Sequence, residues 1–136
     1  MMRAVFADAC YWIALLLERD VFHEMATLLS IEMRYRQIVT TQMVLAETLN
    51  AVGRFGAMNR RYAVELVHDL TTGSRVDVID QTPEQFWNAV NYYNARPDQE
   101  WGLVDCASFL IMDNQGIREA LTNDHHFEQA GFTILM

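Results

Sequence analysis

The 136-residue chain contains no lysine. That absence removes the P-loop lysine that grips phosphates, Schiff-base chemistry and the lysine-assisted phosphorylation of an aspartate. The ten basic side chains of fixed charge are all arginine, set against eighteen acids for a formal net charge of −8. Cysteine is scarce as well. Cys10 and Cys106 stand far apart without a CxxC pattern, which argues against a disulfide staple and fits a reducing compartment. Only two prolines and six glycines are present, a composition unlike collagen-like or low-complexity chains. No apolar run reaches the roughly 20 residues of a membrane span. The longest, Ala4 to Leu17, is interrupted by Asp8 and has no small-residue cleavage site, so it reads as neither membrane helix nor secretory signal. A cytoplasmic protein without a membrane partner is the expectation. The acidity also weighs against general nucleic-acid affinity, which comes mainly from arginine and lysine displacing counterions.

What is present is an ordinary globular composition, 51% hydrophobic, at a length that suits one domain over residues 1–136. Arg3 to Ala7 is a short β-prone run leading into the aliphatic helix candidate ACYWIALLL. Val21, Met25, Leu28, Leu29 and Met33 recur with helical period, and Gln37 to Thr40 is a second strand candidate. Thr40 or Thr41 caps the next helix, which sets Glu47, Asn50, Ala51 and Arg54 on one face. Asn59 to Leu70 reads as a helix and Arg75 to Ile79 as a strand. Thr82 with Pro83 opens a further helix to about Ala95. Gly102 caps LVDCASFLIMDN, and Glu119 to Thr122 and Phe132 to Leu135 are strands around a short helix, His125 to Gln129. Strands regularly separated by helices predict an α/β fold with a mainly parallel central sheet of four to five strands.

Most acids have charged neighbours and read as solvated helix faces. Asp8, Glu47, Asp105 and Asp113 each stand in a nine-residue window with no other charge, and Asp124 misses that test only through Glu128. Burying an unpaired carboxylate costs several kcal/mol, so acids flanked by apolar residues require a partner. Four of them map near the carboxyl ends of strands or the first turns of the following helices, where α/β sheets place their binding sites. Asp113 lies at the far end of its helix beside Asn114, Gln115 and Gly116 and falls outside the group. Each acid also has an ordinary explanation: Asp8 a helix cap, Asp105 a first-turn acid, Asp124 an Asx turn, Glu47 a solvated helix residue. Taken together, a carboxylate cluster poor in histidine and cysteine selects hard cations, Mg²⁺ or Mn²⁺, and suits phosphodiester hydrolysis.

Four segments, VFADACYWIALL, TTQMVLAETLNAV, WGLVDCASFLIM and ALTNDHHFEQAGF, together resemble the PIN-domain nucleases, and within them the VapC-type toxins of toxin–antitoxin pairs. The resemblance runs nearly end to end. It implies a three-layer α/β/α fold, a metal-dependent endoribonuclease site at Asp8, Glu47, Asp105 and Asp124, a homodimer and an antitoxin partner. Where the family often carries hydroxyl residues beside its first and third acids, this chain has Cys10, Gly102 and Val104. Lost orienting hydroxyls of this kind weaken metal binding by about 10–100-fold. A second reading is therefore a catalytically weak PIN-fold module that binds RNA or an antitoxin-like peptide. An aspartate phosphoryl-transfer domain fits poorly, since Asp8 is followed by Ala9, Cys10 and Tyr11 and no lysine exists.

Arg54, Arg60 and Arg61 are the candidate contacts for RNA phosphates, against ordinary surface charge. His125 and His126 either assist a metal or simply start a helix. Cys10 and Cys106 read as small hydrophobes, and Tyr11, Trp12, Trp87, Tyr92, Tyr93 and Trp101 as core or partner contacts ahead of base stacking. Setting the four acids aside leaves fourteen against ten arginines, or −4.

Overall fold

A computed structural model describes residues 3–136. The chain runs β1 (Val5–Ala7), α1 (Ala9–Leu16), α2 (His23–Glu32), β2 (Ile38–Thr41), α3 (Gln42–Val52), α4 (Ala57–Thr72) and β3 (Val76–Ile79). It continues through α5 (Pro83–Ala95), α6 (Leu103–Gln115), β4 (Glu119–Leu121), α7 (His125–Gln129) and β5 (Thr133–Ile134). The five strands form one sheet in the order β3-β2-β1-β4-β5, every pair parallel. Right-handed crossovers then dictate the layers. Stepping from β1 to β2 to β3 puts α1 to α4 on one face, and the return to β4 and β5 puts α5, α6 and α7 on the other. The helix contacts agree, with α1, α3 and α4 packed together and α5 packed on α6.

β1 is flanked on both sides and covered on both faces, and all three of its residues are fully buried. Such a strand reads as a continuous apolar run rather than an alternating one. On the α6 and α7 side, Phe109 is the hub of an aromatic cluster with Trp101, Phe127 and Phe132. On the other side Trp12 donates its indole N–H to Thr40 at 3.2 Å, and the Thr40 hydroxyl donates to the Ala7 carbonyl at 2.8 Å. Thr40 is thus spent in the core, and Thr41 caps α3 by accepting the Val44 N–H at 3.1 Å. Thr82 and Gln85 close a reciprocal capping box on α5 with Pro83 in its first turn. Gly116 ends α6 at φ 70°, a left-handed conformation that glycine adopts without steric cost.

The α2 region departs from its sequence pattern. The helix begins at His23, and Val21 is 87% exposed, with Met25 and Leu28 also facing outward. The buried face is made by Ala26 and Leu29, with Met33 in the short 3-10 turn that follows. The apolar stripe is wider than the surface available to bury it. Elsewhere boundaries shift by one or two residues, and α4 extends beyond Asn59 to Leu70 at both ends. Ser108 on α6 is fully buried, and its hydroxyl has no hydrogen-bond partner among the described residues. Ser108→Ala is therefore expected to stabilise the fold by about 1 kcal/mol, read as a higher urea midpoint. A lower midpoint would show that the hydroxyl is satisfied.

Candidate functional site

The order of the strands places a topological switch point, where α/β sheets bind their ligands, at the carboxyl end of β1 and β4. The chain leaves β1 in one direction along the sheet and later returns to add β4 on the other side, so the following segments diverge to opposite faces. Asp8 is the first residue beyond β1, and its main-chain N–H still bonds the Leu121 carbonyl of β4 at 3.2 Å. It occupies the N-cap position of α1 but makes no side-chain capping bond. Instead, with only 4% of its surface exposed, it accepts the Thr122 hydroxyl on Oδ2 at 3.0 Å. The same hydroxyl accepts the Asp124 N–H at 3.1 Å, so one threonine links the residue after β1 to the loop after β4.

Asp105 and Asp124 keep their ordinary local roles while facing the same switch point. Asp105, in the first turn of α6, accepts the Gly102 N–H on Oδ2 at 3.2 Å; glycine has no side chain to return the bond. The same oxygen lies 3.1 Å from His126 Nδ1. Asp124 caps α7, accepting the His126 N–H on Oδ1 at 2.9 Å, and that oxygen also lies 3.4 Å from His126 Nδ1. Glu47 projects from mid-α3 and is exposed as a residue.

The charges of these four acids are felt mutually, and all six pairs repel. Burial is the main reason the Asp8 carboxyl is pushed up to about 6. The Ala9 N–H and the Thr122 hydroxyl hold it down, while Asp105 and Asp124 raise it further. Glu47 is pushed up to about 7, first by desolvation of its carboxyl and then by Asp8, Asp105 and Asp124. Asp105 is raised by burial against the lowering effect of the Gly102 N–H; Asp124 raises it further and His126 lowers it. No arginine is among the groups that shift Asp8, Glu47 or Asp105. Oxygen donors with this much uncompensated charge are the kind of ligand set that suits a hard divalent cation.

The remaining candidates separate clearly. Asp113 is exposed and paired with Arg118 at 3.3 Å. Arg54, Arg60 and Arg61 are exposed and lie outside the carboxylate group; among the described residues none forms an ion pair. Arg60 lies across Gly53, where an added Cβ would meet its Nη1 at 2.9 Å, which brings it beside the turn that carries Arg54. Cys10 is a free, half-buried thiol beside Asp8, pushed up to about 11 by burial and then by that carboxylate, so it is no thiolate nucleophile. Cys106 is buried in the core. Tyr11, Trp12 and Trp101 are core residues, Tyr92 is half-buried and packs on Trp101, and Trp87 and Tyr93 are exposed.

A model of the PIN domain family matches residues 5–133. The chain belongs to the PIN-domain family. It is 30% identical over 129 residues to the 23S rRNA-specific endonuclease VapC20 of Mycobacterium tuberculosis in two strains, covering 94% of this chain and 95% of that protein. The crystal structure of VapC20, described as a sarcin-ricin loop cleaving toxin, matches with a TM-score of 0.84 at 27% identity, covering 95% of this chain and 96% of that one. VapBC2 from Rickettsia felis, solved with a DNA fragment from its promoter, matches at 0.63 and 13% identity over 98% of both chains and shares the PIN fold. Thr122 is an organiser of the site that the sequence pattern does not single out, its one signal being adjacency to Asp124, whereas His126, a candidate to assist a metal, starts α7 and also contacts Asp105.

Asp8 binds its proton more tightly folded than unfolded, so it contributes stability below pH 3.8 that is lost as pH rises through about 6. Without a metal, the protein is expected to lose about 3 kcal/mol from this group across that window. Asp8→Asn should flatten the decline in urea stability between pH 4 and 7, and an unchanged decline would place the cost elsewhere.

Proposed function

We propose that this chain is a single-domain, metal-dependent endoribonuclease, the toxin of a toxin–antitoxin pair, with Asp8, Glu47, Asp105 and Asp124 holding Mg²⁺ or Mn²⁺. The observation that carries the reading is the mutual repulsion of all six pairs of these acids at the β1/β4 switch point of a PIN domain. Stability alone does not explain such a cluster, because ionising it works against the fold. Bound there, a divalent cation supplies the positive charge that a scissile phosphate and an attacking water require. The chain's own residues provide the arrangement. Thr122 orients Asp8, the Gly102 N–H and His126 orient Asp105, and the α7 cap orients Asp124.

These contacts bear on the weaker, binding-only reading. Cys10, Gly102 and Val104 replace hydroxyls that PIN nucleases often carry, yet Asp8 and Asp105 each receive a hydrogen bond by another route. The near full-length match to a 23S rRNA-specific endonuclease makes ribosomal RNA the first substrate to test. An antitoxin protein and a second copy of the chain are the partners this reading carries. Apolar side chains exposed on α2, such as Met25 and Leu28, and on α5, such as Trp87, are surface that such partners would cover. Among the described residues no helix is long and apolar enough to cross a membrane, and a cytoplasmic site of action is part of this proposal.

Asp8→Ala and Asp105→Ala should each abolish Mg²⁺- or Mn²⁺-dependent cleavage of RNA while keeping the circular dichroism of the fold. Thr122→Val should weaken Mn²⁺ binding by roughly 10–100-fold in calorimetry. Undiminished cleavage by the aspartate variants would overturn the assignment.

Arg54, Arg60 and Arg61, exposed around the end of α3 and the start of α4, are the proposed phosphate contacts. Replacing all three with alanine should lower the slope of log affinity against log salt by about 2 for single-stranded RNA. An unchanged slope places the RNA elsewhere.

A further inference from the structure

The start of α7 offers donors of a different chemistry from the carboxylate group. Asp124, His125 and His126 each present one ligand atom within 4.8 Å of the other two. Asp124 Oδ1 lies 3.4 Å from His126 Nδ1 and 3.8 Å from His125 Nδ1, and the two rings are neighbours, tilted by 50° with centroids 4.6 Å apart. Zinc–nitrogen bonds of about 2.0–2.1 Å in a tetrahedron set neighbouring ligand atoms about 3.3–3.4 Å apart. One edge already has that length and a second is slightly longer. The His125 side chain is 70% exposed, so its ring can turn inward without displacing packed groups, and an incoming ion has access from solvent.

We propose that Asp124, His125 and His126 form an inhibitory site for a borderline divalent transition metal, Zn²⁺ above all. Two imidazoles and one carboxylate favour zinc strongly over magnesium, which prefers oxygen and near-octahedral geometry. The consequence follows from sharing. His126 Nδ1 must leave Asp105 Oδ2 to ligate the ion, and Asp124 Oδ1, already turned to the start of α7, is taken up as its ligand. One ion therefore removes a ligand from the proposed Mg²⁺/Mn²⁺ site and an orienting contact from Asp105. Zinc at this site opposes the hydrolytic cation instead of replacing it. The functional effect rests on the nuclease reading; the binding itself does not.

The test uses the full-length, metal-free protein and two spectroscopic or calorimetric probes, Co²⁺ and Zn²⁺. Wild-type protein should bind one equivalent of Co²⁺ with the intense visible absorption of a four-coordinate site, and Zn²⁺ should discharge it. His125→Ala should weaken Zn²⁺ binding by about tenfold or more. Its Mn²⁺ affinity and Mg²⁺-dependent RNA cleavage should stay as in wild type while inhibition by Zn²⁺ is lost. Asp8→Asn should retain Zn²⁺ binding.

Equal Zn²⁺ affinity in His125→Ala would overturn the proposal. So would loss of Zn²⁺ binding in Asp8→Asn alone, which would place zinc in the four-acid group, or a thiolate-to-cobalt charge-transfer band, which would place it on Cys10. If no RNA is cleaved under any condition, the nuclease reading fails, while the Co²⁺ and Zn²⁺ titrations still decide the site.

Discussion

Four carboxylates held within each other's field at the end of a parallel sheet form the constraint on which the rest of the structure depends. Left to themselves, Asp8, Glu47, Asp105 and Asp124 would separate or take up protons, and the shifts of Asp8 and Glu47 toward neutrality come first from burial and then from that repulsion. What keeps them together is the rigidity of what carries them. β1 and β4 are adjacent, parallel and fully paired at the point where Asp8 emerges, and the aromatic cluster around Phe109 locks α6 and α7 against the sheet. A packed core of this kind withstands a local electrostatic cost of a few kcal/mol, because its apolar burial is spread over many residues.

Backbone economy is the second theme. Asp105 and Asp124 would be present in many helices merely as a first-turn acid and an N-cap, and both perform those duties here. Each uses a single oxygen for the local bond, Oδ2 in Asp105 and Oδ1 in Asp124. A helix start therefore serves two purposes: it fixes the carboxylate's rotamer and aims it toward the switch point. Asp8 is the exception. Its capping position is unused by the side chain, which turns to Thr122, and this separates a residue kept for the site from residues that would be there anyway.

The orienting groups of the acids are few. Cys10, Gly102 and Val104 offer them no hydroxyl, and Val104 packs against the core as an ordinary hydrophobe. Hydrogen bonds to the acids come from Thr122 after β4 and from the main chain at Gly102. A main-chain N–H at a helix start is available whatever the side chain, so glycine keeps that bond and gives up only the return bond of a capping hydroxyl.

Much of the architecture was legible in the residues themselves. The apolar run Val5 to Ala7, the threonine and proline at the start of α5 and the spacing of strands and helices are local signals, because propensity, capping and period act over a few residues. The isolation of Asp8, Glu47 and Asp105 from other charges was equally visible, since it is a property of neighbours in sequence. Only tertiary structure decided that α2 turns Val21, Met25 and Leu28 outward, because an apolar stripe does not reveal how much of it another element will cover. Tertiary structure alone also made Thr122 the link between Asp8 and Asp124 and brought His126 onto Asp105. Those contacts join residues 114 and 21 positions apart, and such pairs meet through the order of strands in the sheet, which no local pattern encodes.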